Sequence, residues 1–208
     1  MSTLHRILWL APKGHGKPIS REKWEEEYRA GVWNYLNDAE ELARYMVIVG
    51  YATQILMRPR ILDIGCGHGR LLQLLPESSY QSYLGVDISD EAIRRAKRLK
   101  TDQAEFYRAD FEAWCPPHSV DLIIFNESLY NSRHPIKLIE KYLPYLLHGG
   151  RIIISMFNSR GDSFIWRRLD AMLQRLDGLH ITHDNGRRWQ VALFAQRETV
   201  GSAGTTTG

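Results

Sequence analysis

From Arg60 onward the chain alternates short runs of β-branched and aromatic residues with stretches whose apolar side chains recur at helical spacing. Parallel β-α-β units leave this alternation in a sequence. The runs predict strands at 60–64, 82–87, 104–108, 120–125, 151–157, 179–183 and 189–195. Between them the pattern predicts helices near 69–75, 90–100, 135–147 and 162–176, with a short helical turn at 111–114. Pro144 should kink or divide the 135–147 helix, and Gly149-Gly150 supplies a stop ahead of Ile152-Ile153-Ile154. Asp184-Asn185-Gly186 is a tight-turn sequence that would join the last two strands as an antiparallel hairpin. The expected fold is therefore α/β: a three-layer sandwich around a seven-stranded, mostly parallel sheet whose last strand is antiparallel.

Ahead of the first strand, Trp24 to Leu56 also carries apolar residues at helical spacing. Leu36, Ala39, Ala43, Met46, Val47 and Gly50 fall near one face, and Asp38, Glu40, Glu41 and Arg44 mostly on others. One or two N-terminal helices are expected. Residues 11–20 are rich in Gly and Pro and predict an irregular arm, while 201–208 have nothing to bury and predict a disordered tail. The chain thus divides into an arm at 1–20, helices at 21–57 that form a lid or cap, a core at 58–198 and a tail at 199–208.

Composition narrows this picture only modestly. A chain of 208 residues, 44% hydrophobic and 25% charged, can build one ordinary globular core. The net charge of +3 is slight and spread along the chain, so nucleic acid is not demanded as a partner. Cys66 and Cys115 are too few for a disulfide framework or a four-cysteine metal site, and no metal cluster with recognisable spacing is present. Reduced thiols in a cytoplasm are the expectation. No apolar run approaches the roughly 18 residues of a membrane span, and Ile7 to Leu10 is too short for a signal peptide.

The candidate chemistry begins at the first strand-to-helix turn, Asp63 to Gly69, which belongs to the ligand crevice of a parallel sheet. Gly65, Gly67 and Gly69 let the backbone turn sharply and approach a ligand closely. A dinucleotide fingerprint would need glycine at position 70, where Arg70 stands, so pyrophosphate binding is disfavoured. The second strand ends in Asp87, at the offset where a carboxylate reaches ribose hydroxyls. Asp87 has a second reading as a helix cap, a role for which Ser89 and Asp90 are better placed. Ala109-Asp110-Phe111 would set an acceptor and an aromatic edge beside an adenine ring, and Phe125-Asn126-Glu127-Ser128-Leu129-Tyr130 puts polar groups on the same rim.

In these four elements and in the reversed last strand, residues 60–195 resemble class I (Rossmann-like) S-adenosylmethionine-dependent methyltransferases. The resemblance implies S-adenosylmethionine as cofactor. Its methionine part would lie over Asp63, Gly65, Gly67 and Gly69, its ribose at Asp87 with Ile88, and its adenine at Asp110 with Phe111, with Asn126 lining the site. More loosely, Trp24 to Tyr28, Gly31 to Leu36 and Phe125 to Glu127 resemble small-molecule methyltransferases found beside polysaccharide and natural-product genes. In related enzymes the N-terminal helices close over the cofactor. That makes Tyr28 and Trp33 lid candidates and Arg44 a candidate for the methionine carboxylate.

If the acceptor is a hydroxyl, a general base would help, and Glu127 and His134 are the candidates on the rim. Each also has a plain reading: Glu127 as a cofactor or loop contact, His134 as a cap before Pro135. Cys66 has no base beside it and is expected to be inert, and His68 stays unassigned. The basic run Arg94 to Lys100 is expected to be a solvated helix face. Methylases of base amino groups typically carry Asn/Asp-Pro-Pro-aromatic after the fourth strand, whereas this chain has Asn126-Glu127-Ser128-Leu129. The expected acceptor is a small molecule, a sugar or secondary metabolite methylated on O or N. The alternatives are an RNA or protein methyltransferase and a noncatalytic S-adenosylmethionine-binding protein.

Overall fold

The computed structural model describes residues 19–99, 101–158 and 162–197. The expected tail at 199–208, and the expected arm apart from Ile19 and Ser20, lie outside the described residues. Two helices, α1 (Arg21–Arg29) and α2 (Ala39–Gln54), flank a 3-10 turn at Val32–Asn37 and precede the sheet. The strands are β1 (Arg60–Ile64), β2 (Ser82–Asp87), β3 (Ala104–Arg108), β4 (Val120–Asn126), β5 (Leu146–Phe157), β6 (Leu173–Thr182) and β7 (Arg188–Gln196). Helices α3 (Arg70–Leu74), α4 (Asp90–Ala96), α5 (Pro135–Tyr142) and α6 (Asp162–Met172) connect them.

The strands form one sheet in the order β3-β2-β1-β4-β5-β7-β6. The pairs β1–β2, β1–β4, β2–β3 and β4–β5 are parallel, while β7 runs antiparallel between β5 and β6. The expected seven-stranded sheet with a reversed last strand is therefore present. Alternate residues of each strand enter different layers. Leu62, Ile64, Val86, Phe125 and Ile154 pack with α5 and α6, whereas Ile61, Tyr83, Ile124 and Val191 pack with α2, α3 and α4. A third small cluster joins Tyr28 and Trp33 to Ala92 at the N-terminal segment.

Four expectations need correcting. On α2 the buried residues are Glu41, Arg44, Tyr45, Ile48, Val49 and Ala52, and Ala39, Ala43 and Met46 face solvent. Glu41 and Arg44 pair with each other, so their charges go inward together and rotate the helix away from its simple apolar face. The helix expected at 162–176 ends at Met172, and Leu173 starts β6 at once; no glycine or proline marks this boundary. Gly149-Gly150 lies inside β5, not ahead of it. Val120 pairs with Leu146 and Leu122 with Arg151, so residues 147–150 bulge, with Gly149 at φ 77°. Pro144 does end α5 and sits in a 3-10 turn at Leu143–Tyr145, while 111–113 form a turn and not a helix. Among the described residues no helix is long and apolar enough to cross a membrane.

Candidate active site

The connections reverse direction between β1 and β4, and the carboxyl ends of these neighbouring strands open the crevice where such sheets bind ligands. A cavity of about 1140 Å³ lies there, roofed by the N-terminal segment. Thirteen of the fourteen residues singled out from sequence line it: Tyr28, Trp33, Arg44, Asp63, Gly65, Gly67, Asp87, Ile88, Asp110, Phe111, Asn126, Glu127 and His134.

β1 runs into the glycine turn, which is stitched to β2 because Gly65 N and Cys66 N both donate to Val86 O, at 2.8 and 3.0 Å. Gly65 has φ 77°, and a Cβ there would stand 2.5 Å from Ser128 Cβ. Gly67 has φ 56°, and a Cβ there would stand 2.7 Å from the Tyr28 hydroxyl. Backbone conformation and close approach both disfavour a side chain at these positions, at Gly67 against the outer end of the Tyr28 side chain. Gly69 differs from the expectation, for it lies outside the cavity. Its missing side chain makes room for Leu99 and Ala96, at 2.7 and 3.4 Å from a built Cβ, so this glycine serves the packing of α3 against α4.

Two carboxylates are buried beside the turn. Asp63 is 2% exposed; its Oδ2 accepts from the Tyr83 hydroxyl, and its Oδ1 has no partner among the described residues. Burial raises its pKa to about 7. Asp87 accepts from Ser89 N on Oδ1 (2.9 Å) and from Gly67 N on Oδ2 (3.0 Å), and burial outweighs these bonds to bring its pKa to about 6. Ser89 takes the helix cap, its Oγ accepting from Ala92 N at 3.1 Å. Asp110 is exposed, and its Oδ1 accepts from Glu112 N at 2.9 Å, fixing the turn that presents Phe111.

The roof is latched to α4. Glu25 accepts from Ser89 Oγ (2.7 Å) and Glu91 N (3.1 Å), and Arg95 donates to Tyr28 O (2.8 Å) and Asn34 Oδ1 (3.1 Å). Trp33 lies within 5.0 Å of Trp24 and 6.0 Å of Tyr28, ring centre to ring centre. His68 sits under this roof, outside the cavity. Its Nε2 is 3.4 Å from Asn37 Oδ1, its Nδ1 has no partner among the described residues, and burial with Arg95 and Arg70 lowers its pKa. Cys66 is buried and its thiol pKa is pushed up, so it carries no nucleophile.

Arg44 is 1% exposed. Its Nη2 donates to Glu41 Oε2 at 2.8 Å, its Nη1 donates to Asn126 Oδ1, and its Nε has no partner among the described residues. Burial opposes its charge, but Tyr45, Glu127 and Glu41 outweigh that and raise its pKa. The other oxygen of Glu41 accepts from Arg187, which also holds Glu40 at 3.1 Å and lies 4.5 Å over the Trp189 ring.

The two candidate bases differ in placement. Glu127 has φ 58°, unusual for a residue with a Cβ, and this conformation turns its carboxylate into the protein. Oε1 accepts from Ser155 Oγ and Oε2 from Tyr130 Oη and Phe157 N, each at 3.0 Å. Burial raises its pKa. His134 occupies the position before α5, with an exposed side chain that makes no cap bond. Tyr130, expected on the rim, lines the far wall, and sequence reasoning missed the rest of that wall: Tyr35, Arg133, Phe157, Asn158 and Trp189. The one signal was position, since Phe157 ends β5 and Asn158 follows it at the end of the sheet that carries the glycine turn.

The strand order, the glycine turn and the carboxylate closing β2 define a class, the Rossmann-like methyltransferases. The chain belongs to the methyltransferase domain family, whose model matches residues 21–197. It is 36% identical over 97 residues to a trans-aconitate 2-methyltransferase of Azoarcus sp. (strain BH72), a match covering 46% of this chain and 38% of that one. It is 32% identical over 130 residues to a malonyl-[acyl-carrier protein] O-methyltransferase of Paenibacillus sp. (strain JDR-2), covering 57% of this chain and 46% of that one. Both matches span less than half of the relative's length. The N-methyltransferase NodS of Bradyrhizobium japonicum WM9, solved in complex with S-adenosyl-l-homocysteine, shares the fold at a TM-score of 0.72 and 17% identity, covering 84% of this chain and 98% of that one.

Proposed function

We propose that the protein transfers a methyl group from S-adenosylmethionine to a small-molecule acceptor. The observation that carries this reading is the buried Asp63 Oδ1, an acceptor without a donor among the described residues, beside a turn in which Gly65 and Gly67 sit at positive φ with little room for a Cβ. A positively charged ligand with N–H donors satisfies that oxygen and offsets the cost of burying the carboxylate. Asp87 retains lone pairs beyond its two backbone bonds for ribose hydroxyls. Asp110 and Phe111 border the adenine position, and Arg44 with Asn126 borders the carboxylate of the methionine part.

When bound, S-adenosylmethionine supplies an electrophilic methyl on a sulfonium, which asks for alignment and exclusion of water more than for covalent help. Tyr28 and Trp33 close the roof over the turn, and the latch of Glu25 on Ser89 holds the roof down. The aromatic far wall receives the acceptor. Relatives named for trans-aconitate and for malonyl-[acyl-carrier protein] support a small organic acceptor rather than nucleic acid. A cytoplasmic setting belongs to the same proposal, supported by two cysteines that are both free.

Calorimetry with S-adenosylhomocysteine and with NAD tests the reading. The expected result is binding of the first and not of the second. Binding of NAD alone would overturn it, as would labelled methyl transfer confined to RNA or protein.

A further inference from the structure

We propose that Arg187 is a positioning residue for the cofactor. By holding one oxygen of Glu41 it keeps the side-on face of the Arg44 guanidinium open to the carboxylate of the methionine part, a role that rests on the methyltransferase reading.

Arg187 stands just ahead of β7, in a turn that holds it in place. Gly186 takes φ 82°, His183 N donates to Arg187 O at 2.9 Å, and Arg187 N donates to Asn185 Oδ1 at 3.0 Å. Its guanidinium lies 4.5 Å over the ring of Trp189. From there it reaches the first turn of α2. Nη1 donates at 3.1 Å to Glu40 Oε2, which also accepts from Asn185 Nδ2 at 3.1 Å, and Nη2 donates to Glu41 Oε1.

The two arginines meet at Glu41, whose side chain is 2% exposed and whose Oε2 accepts from Arg44 Nη2 at 2.8 Å. A carboxylate that pairs side-on with an arginine takes Nε and Nη2 together, one on each oxygen. Glu41 takes Nη2 alone, because its other oxygen is held by Arg187. Arg44 Nε is thereby left buried without a partner among the described residues, in a side chain that lines the cavity. Such an N–H is costly until a ligand meets it. Asn126 takes Nη1, at the other end of the guanidinium.

The charges agree with the geometry. Arg44 and Glu41 alone form a neutral pair, which offers little to an anion, whereas Arg187 gives the trio one net positive charge. Two more acids stand close. The Glu40 side chain is 35% exposed, so water screens it, and the Glu127 oxygens are taken by Ser155, Tyr130 and Phe157. With Arg187 removed, Glu41 can turn its released oxygen onto Arg44 Nε and occupy the place of the ligand's carboxylate. Arg187 thus acts on the cofactor through Glu41 and Arg44.

The test is calorimetry with S-adenosylhomocysteine and with its decarboxylated analogue, S-adenosyl-3-thiopropylamine, which keeps the adenosine, the sulfur and the ammonium group. The wild-type protein should favour S-adenosylhomocysteine by about tenfold or more. Arg187→Ala and the longer Arg187→Gln should each remove most of that preference, with affinity for the analogue unchanged. Arg187→Lys, a point charge without the planar fork, should fall between them and wild type. Adding Glu41→Gln to Arg187→Ala removes the competing charge and should restore most of the preference, a rescue that a merely structural role would not give. Thermal unfolding confirms that each variant is folded, and Arg187→Gln carries the comparison should Arg187→Ala not fold. An unchanged preference in the Arg187 variants, an equal loss of both ligands, or a double variant no better than Arg187→Ala overturns the proposal and leaves the methyltransferase reading intact. Equal binding of the two ligands by the wild-type protein does the same. Failure of S-adenosylhomocysteine itself to bind overturns both.

Discussion

Asp63→Asn should make the ligand-free protein more stable and its cofactor site worse. The carboxyl is 2% exposed, has one donor, the Tyr83 hydroxyl, and titrates at about 7 in the fold against 3.8 in the open. Ionising it inside the fold therefore costs on the order of 4 kcal/mol. Below about pH 4 the group is protonated in both folded and unfolded chains and contributes nothing. Between pH 4 and 7 the unfolded chain ionises first, so wild-type stability falls as pH rises, and above 7 the loss is complete. Asparagine removes the charge and still accepts from Tyr83. The gap in stability between variant and wild type should grow from near zero at pH 4 to on the order of 4 kcal/mol at pH 8, about 8–16 °C in Tm for a chain of this size. Thermal unfolding across this pH range measures it. Affinity for S-adenosylhomocysteine should fall at pH 8 by about 1.5–3 kcal/mol, the value of a hydrogen bond to a charged group. A gap that stays constant with pH, or a variant less stable than wild type at pH 8, would refute the assignment of a buried, under-bonded carboxylate.

Asp87→Ala should weaken S-adenosylhomocysteine binding by about 1.5–3 kcal/mol in calorimetry, and the wild-type affinity should decline as pH is lowered through about 6, where Asp87 takes up its proton. Gly67→Ala places a methyl 2.7 Å from the Tyr28 hydroxyl at φ 56° and should cost about 1–3 kcal/mol of stability; adding Tyr28→Phe should recover the steric share and leave the backbone share. Glu127→Ala strands three donors and should cost about 2–4 kcal/mol in denaturant unfolding, whereas a dispensable surface base would lose turnover alone.

The cofactor half of the site was legible in sequence because it is local. The glycine turn, Asp87 and Asp110 each stand at the end of a strand whose residues were read correctly, and the parallel sheet aligns those ends without any long-range information. What failed was the reading of charge as exposure. On α2, Glu41 and Arg44 were assigned away from the core, yet a carboxylate and a guanidinium one turn apart neutralise each other and go inward with Tyr45 and Ile48. The partner that completes this arrangement, Arg187, comes from the start of β7, and nothing near Glu41 in the chain announces it.

Glu127 shows the same limit at the centre of the site. It follows β4 as Asp87 ends β2, so the two carboxylates carry nearly the same local signature. The difference lies in their donors. Asp87 is held by Gly67 N and Ser89 N, from the turn and the step after its own strand, and keeps capacity facing the cavity. Glu127 is turned back at φ 58° onto Ser155 and Phe157 of β5 and onto Tyr130, contacts that depend on how β5 lies beside β4. A candidate base read from sequence thus becomes, in the fold, a brace that joins the ends of two strands. With that brace engaged, the protein's part is to hold the two reactants in line and keep water out.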